Sequence, residues 1–259
     1  MKQRIKELFS TQRLSRYCLP GQSDVDAQCF INYLSGVKRA ESLYFALHLI
    51  EVTLRNAIYY AYKKHHASQD FFYLHHTHIR DKYLKRKEFH SRECWKMLCG
   101  ARAALVRRNE PIHEGKLIAE LNFGFWTKLM EGKHQNYDTM WRKIFFDVFS
   151  YHPQRNASVS IHRLKQDVWQ KFERIRKLRN RVFHYEPIAP LAPDERYREI
   201  EEILGWIDND LPSLLRLSEY ETHRWQEPYI AKILKLSKWR WRRQQVCFKR
   251  FFGSKRRGL

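Results

Sequence analysis

Glycine and proline are scarce in this chain, 9 and 8 among 259 residues. So few turn-forming residues argue against a loop-rich or all-β protein. Short alternating β-branched runs bounded by turn dipeptides, the mark of strands and hairpins, are nearly absent as well. The cysteines (Cys18, Cys29, Cys94, Cys99 and Cys247) are odd in number and form no C-x-x-C pair. They read as reduced thiols of a cytoplasmic protein. No run is apolar over the ~20 residues needed to cross a bilayer, and no segment has the layout of a signal peptide. What is abundant is apolar and aromatic: 43% hydrophobic residues, with 16 Phe, 14 Tyr and 8 Trp, supply a sizeable core. The expected fold class is all-α.

Apolar periodicity and helix punctuation give the map. A short helical arm covers 3–18, and a turn follows at Pro20-Gly21. Ser23 or Asp24 caps a helix to about Leu34. The next helix runs from about Lys38 to Lys64, where Leu43, Leu47, Ile50, Leu54, Ala57 and Ala61 form one stripe. Residues 69–80 read as an aromatic, His-rich loop. A basic helix over 88–108 ends at Asn109-Glu110-Pro111. Helices follow over about 117–131, 137–149 and 161–185, the last stopped by Pro187, Pro190 and Pro193. A helix from Asp194 to Ile207 and a turn after Pro212 complete the map. The chain divides into an arm (1–22), a helical domain (23–220) and a basic aromatic extension (221–259).

Positive charge is unevenly spread. The formal net charge is +21, and no acidic residue follows Glu227, whereas eleven Lys and Arg do. Lys238, Trp239, Arg240, Trp241, Arg242, Arg243, Lys249 and Arg250 form its densest part. Basic side chains grip phosphates and aromatic rings stack on unpaired bases, so RNA is the favoured partner of this tail. An anionic membrane surface is a less favoured alternative, and a solvated tail without a partner is the third.

The most informative run is Ile175 to Pro187. Ile161, Leu164, Val168, Phe172 and Ile175 line one helix face that Ser160 can cap. Arg179 lies 18 residues beyond Ile161 and, at about 100° per residue, returns to that face, where a guanidinium needs a partner. Asn180 and His184, four apart, share the adjacent face. An imidazole moves protons near neutral pH, and a guanidinium holds a phosphate at two points. Together they could activate a ribose 2′-hydroxyl against the neighbouring phosphate without a metal or other cofactor. On spacing alone a structural trio competes, with Arg179 paired to a buried carboxylate and His184 packed near the helix end.

A second polar set lies on the 38–64 helix, where Glu51 and Arg55 are four apart and followed by Asn56. Two roles stay open. Glu51 and Arg55 could pair within the helix. Alternatively, Glu51 holds Arg179 or orients His184, and Arg55 adds a phosphate contact. His65-His66 and His75-His76-x-His78 lack carboxylates or cysteines at ligand spacing and read as surface histidines, with no metal. Cys94 and Cys99, five apart, fall on different helix faces. Gly124, between Phe123 and Phe125, suggests close helix packing.

The segment Lys177-Leu178-Arg179-Asn180-Arg181-Val182-Phe183-His184-Tyr185-Glu186-Pro187 resembles the RLRNRIAHHEPI signature of the Abi-like (abortive infection) proteins of bacteria. Three further stretches resemble that family in order along the chain: residues 49–58 (LIEVTLRNAI), 119–126 (AELNFGFW) and 202–207 (EILGWI). The resemblance covers roughly residues 15 to 220. Abi-like proteins are placed in the HEPN superfamily, marked by Arg-x(4–6)-His with a polar residue after the arginine, which Arg179, Asn180 and His184 match. Phe183 and Tyr185 stand where the family often has Ala and His, removing a second histidine beside His184. The resemblance implies an all-helical, HEPN-like bundle, to which the chain's length and charge add extra helices and a basic C-terminal helical tail. It further implies dimers sharing one cleft and a metal-independent endoribonuclease toxin of anti-phage defence; an RNA or protein antitoxin is a candidate partner that the sequence does not decide. The alternative is a non-catalytic RNA-binding or sensing module of such a system.

Overall fold

In the computed structural model the described residues are 3–22, 24–67, 71, 92–131 and 135–216, and every regular element among them is helical. The α-helices are α1 (Gln3–Phe9), α2 (Thr11–Ser15), α3 (Ala27–His65), α4 (Arg92–Arg107), α5 (Glu114–Glu120), α6 (Phe123–Lys128), α7 (Gln135–Val148), α8 (Ile161–Phe183) and α9 (Pro193–Ile207). A 3-10 turn, Ala189–Leu191, sits between α8 and α9, and residues 211–216 are helical. The described residues up to 212 form one compact unit, and 213–216 belong to a second. Ser23, the histidines at 75, 76 and 78, Cys247 and the whole basic stretch from Lys238 to Arg250 lie outside the described residues.

The core is built around α3, which packs on α6, α7, α8 and α9, while α8 packs on α6, α7 and α9. Most of the stripes read from the sequence is buried: Ala57 and Ile161 are half-buried, while Leu43, Leu47, Ile50 and Leu54 on α3 and Leu164, Val168, Phe172 and Ile175 on α8 are all between 0 and 4% exposed. Each such side chain contributes about 1.5–3 kcal/mol through burial. Ser160 caps α8 by accepting from Arg163 N, at 3.4 Å. Among the described residues no helix is long and apolar enough to cross a membrane.

Three boundaries differ from the sequence map, each for a local reason. The two helices expected on either side of Gly36 are one 39-residue helix, capped by Asp26, whose carboxylate accepts from Cys29 N at 3.0 Å. Gly36 does not end it. A Cβ there would lie 3.1 Å from Tyr17 Cε1, so the glycine admits a ring rather than a turn. The arm breaks at Ser10 (φ 58°), which caps α2 through Arg13 N. Residues 117–131 hold two short helices because Asn122 turns its side chain onto Phe125 N and starts α6 anew. A Cβ on Gly124 would stand 3.0 Å from that Asn122 Oδ1 and 3.9 Å from Arg176 Cδ, so the glycine does serve close packing.

The thiol reading needs correcting. Cys18 and Cys29 form a disulfide, with Cα atoms 4.5 Å apart. The arm folds back on the start of α3, burying Leu14 and Val25 with Cys29, and this brings the two sulfurs together. Their eleven-residue separation across a turn carries no sequence signature. Cys94 is a buried thiol and Cys99 an exposed one, on different faces of α4 as spaced.

His152, in the turn after α7, packs against Phe145 and Phe146 of α7 and Trp206 of α9. Its ring packs 4.6 Å from that of Trp206, Tyr151 N donates to Trp206 O, and His152 Nδ1 accepts from Gln154 N. Burial holds this imidazole below its ordinary value. A group that is harder to protonate when folded costs stability once the unfolded chain begins to take up the proton, as pH falls below about 6.5. Urea titrations at pH 7 and pH 5 should therefore show a larger loss for the wild type than for His152→Gln.

Candidate functional site

The end of α8 presents the motif. Arg179 faces α3 and its Nε donates to Glu51 Oε2 at 3.4 Å, with the side chains 25% and 18% exposed. Of the two roles left open for Glu51, the structure has the inter-helical one. Arg179 is also stacked, its Cζ 4.4 Å from the centre of the Phe183 ring, and Phe183 in turn meets Tyr44 of α3 at 5.6 Å. Tyr44, His48, Glu51 and Arg55 are spaced four, three and four apart, so one face of α3 lies along this end of α8. A carboxylate below and a ring above fix the guanidinium while leaving part of its edge accessible.

Arg55 Nε is buried and has no hydrogen-bond partner. A buried donor of this kind calls for a partner, which an ordered water or a bound group can supply. Asn56 is half-buried and makes no hydrogen bond to the motif residues, so the structure does not join it to Arg179. Asn180 is half-buried, and its carbonyl oxygen accepts from His184 N at 2.9 Å.

His184 is the C-cap residue of α8 and is exposed. Tyr185 N donates to Val182 O and Glu186 N to Arg181 O, the paired bonds of a Schellman turn. Tyr185 occupies the position that favours glycine, with φ 57°. Arg181 ties down the chain beyond it, donating to Pro187 O at 2.9 Å and pairing with Glu186 at 3.8 Å. The sequence singled out neither Arg181, Phe183 nor Tyr44 as site components. The only signal for them was position: Arg181 and Phe183 lie within a helical turn of a motif residue, and Tyr44 lies two turns before Glu51 on the same helix. Because the Tyr185 side chain is 73% exposed and its backbone strained, Tyr185→Gly should stabilise the fold by about 1 kcal/mol, read as a higher urea midpoint.

The structural-trio alternative shares the carboxylate on Arg179 but requires a packed His184. An exposed imidazole at the end of α8 can transfer protons, and a guanidinium held one turn earlier on the same helix can bind an oxyanion. Among the described residues no cluster of His, Cys, Asp and Glu could hold a metal ion. No family model, curated protein or solved structure matches the chain.

Proposed function

We propose that the chain is an Abi-like, HEPN-type endoribonuclease that needs no metal and acts as a toxin in bacterial anti-phage defence. The observation that carries this reading is the fixed Arg179, clamped between Glu51 and Phe183, with His184 exposed at the end of the same helix. Arg179 binds the non-bridging oxygens of a phosphodiester, and Asn180 positions one of them. His184 takes the proton of the ribose 2′-hydroxyl as that oxygen bonds to phosphorus. The P–O5′ bond breaks, and the leaving oxygen takes up a proton. The products carry 2′,3′-cyclic phosphate and 5′-hydroxyl ends. Arg55, with its orphaned Nε, supplies a second phosphate contact.

One histidine serves either as the base or as the acid, so two chains facing each other, each with Arg179 and His184, would complete the acid–base pair. The basic tail holds the RNA nearby, and an RNA or protein antitoxin restrains the enzyme in the cell.

The test is incubation of the purified protein with total bacterial RNA in excess chelator, followed by analysis of fragment ends. Cyclic-phosphate ends produced by the wild type support the reading. Intact RNA, with bound RNA recovered on the protein, would favour the binding-module alternative.

A further inference from the structure

The two neighbours of His184 in the chain, Phe183 and Tyr185, both line a groove of about 300 Å³ between the end of α8 and the first half of α3. Tyr17, Val37, Glu41 and Tyr44 line it too. Its rings are left open to solvent: Tyr44 is 57% and Tyr185 73% exposed. Tyr185 holds its place at the cost of a left-handed backbone where glycine is the default.

We propose that this groove is a subsite for one unpaired nucleobase next to the scissile phosphate, and that Glu41 selects guanine there. The assignment rests on the ribonuclease reading above, which it extends to the base that flanks the cut. Tyr44 and Tyr185 supply the stacking faces. Stacking one base on an aromatic ring strengthens binding by about tenfold to a hundredfold and is tolerant of sequence, so the rings alone give no choice among bases.

Glu41 supplies the choice. It lies one turn before Tyr44 on α3, and it is exposed without an ion-pair partner among the described residues. A carboxylate only accepts hydrogen bonds, and it accepts them in pairs. Guanine alone offers two adjacent donors on its Watson–Crick edge, N1–H and the N2 amino group. Adenine and cytosine place an acceptor beside their amino group, and uracil flanks its single N–H with two carbonyls. Glu186, the other carboxylate lining the groove, is already paired with Arg181.

The surroundings suit a phosphate backbone. A second groove of about 430 Å³ shares Tyr17 and Gly36 with the first and is lined by Arg16 and Arg39. Arg39 pairs with Asp194, which leaves Arg16 as its unpaired cation among the described residues. A strand whose base sits on Tyr44 can carry its next phosphate towards Arg16.

The test uses full-length protein carrying His184→Ala and four labelled pentaribonucleotides, UUGUU, UUAUU, UUCUU and UUUUU. Binding is read by fluorescence anisotropy at about 0.3 M salt, where the sequence-independent grip on phosphates is weak. UUGUU should bind about tenfold more tightly than UUUUU. Adding Glu41→Gln should reduce that preference to twofold or less, and Tyr44→Ala should weaken all four by about tenfold. Tyr185→Gly should weaken them likewise while raising the unfolding midpoint, so its loss of binding cannot be loss of fold. Equal affinity for the four oligonucleotides, or a guanine preference that survives Glu41→Gln, would overturn the subsite. A guanine preference in a protein that leaves RNA uncut keeps the subsite and removes the nuclease. Cleavage by the wild type with no base preference at the cut does the reverse.

Discussion

His184→Ala should lower RNA cleavage in chelator by about a thousandfold, and Arg179→Ala by a similar factor, with little change in the unfolding midpoint for the histidine. Positioned proton transfer contributes roughly 10²- to 10⁴-fold, and removing one oxyanion-binding donor typically costs 10²- to 10³-fold. His184 is exposed at a helix end, so its removal leaves no cavity. Arg179 differs. Without its guanidinium Glu51 remains as a carboxylate only 18% exposed and unpaired, so Arg179→Ala should also lose stability. Arg179→Lys separates the two effects, since the ammonium can still neutralise Glu51 but cannot hold a phosphate at two points. It should recover most of the stability and little of the activity. Wild-type turnover by the His184→Ala protein would place the chemistry elsewhere, even if cleavage itself were real.

Helical periodicity made the core legible because the buried stripes of α3 and α8 are long, regular and unambiguous. The motif was legible for a different reason: a charged residue at a core-facing register position demanded an explanation, and Glu51 on another helix provides it. Helix boundaries were less legible. Glycine in a helix is a weak breaker, so Gly36 misled, and only the approach of Tyr17 from the arm accounts for it. Asn122 is a capable helix cap whose effect competes with a continuous apolar pattern, and composition does not decide that contest. The Cys18–Cys29 bond depends on how the arm returns to α3. The stacking of Arg179 on Phe183, and of Phe183 on Tyr44, depends on helix–helix placement that no single stretch encodes.

Lys165 is the sharpest departure from the expected pattern, and it yields the largest effect on stability. It lies four residues beyond Ile161 on the apolar face of α8 and is fully buried. Its ammonium pairs with the Asp138 carboxylate of α7, whose side chain is 26% exposed. His162 stands 3.6 Å from the same carboxylate. Taking an ammonium out of water costs several kcal/mol, and its partner offsets that cost only while present. Asp138→Ala should therefore destabilise the protein by about 3 kcal/mol, the low end of the range for broken buried pairs because Asp138 keeps some water. For a unit of this size that is a fall in Tm of about 6–12 °C. Lys165→Met fills nearly the same volume with no charge to solvate. It should be neutral to slightly stabilising, and it should remove most of the penalty of Asp138→Ala when the two are combined. If instead the double variant were as unstable as Asp138→Ala alone, Asp138 would be acting through another contact, with His162 the first to examine. The cycle also bears on the site indirectly, because Lys165 ties α8 to α7 while Glu51 ties the far end of α8 to α3. Loosening the first tie while keeping the second should leave the motif assembled, so the Lys165→Met protein should retain wild-type cleavage.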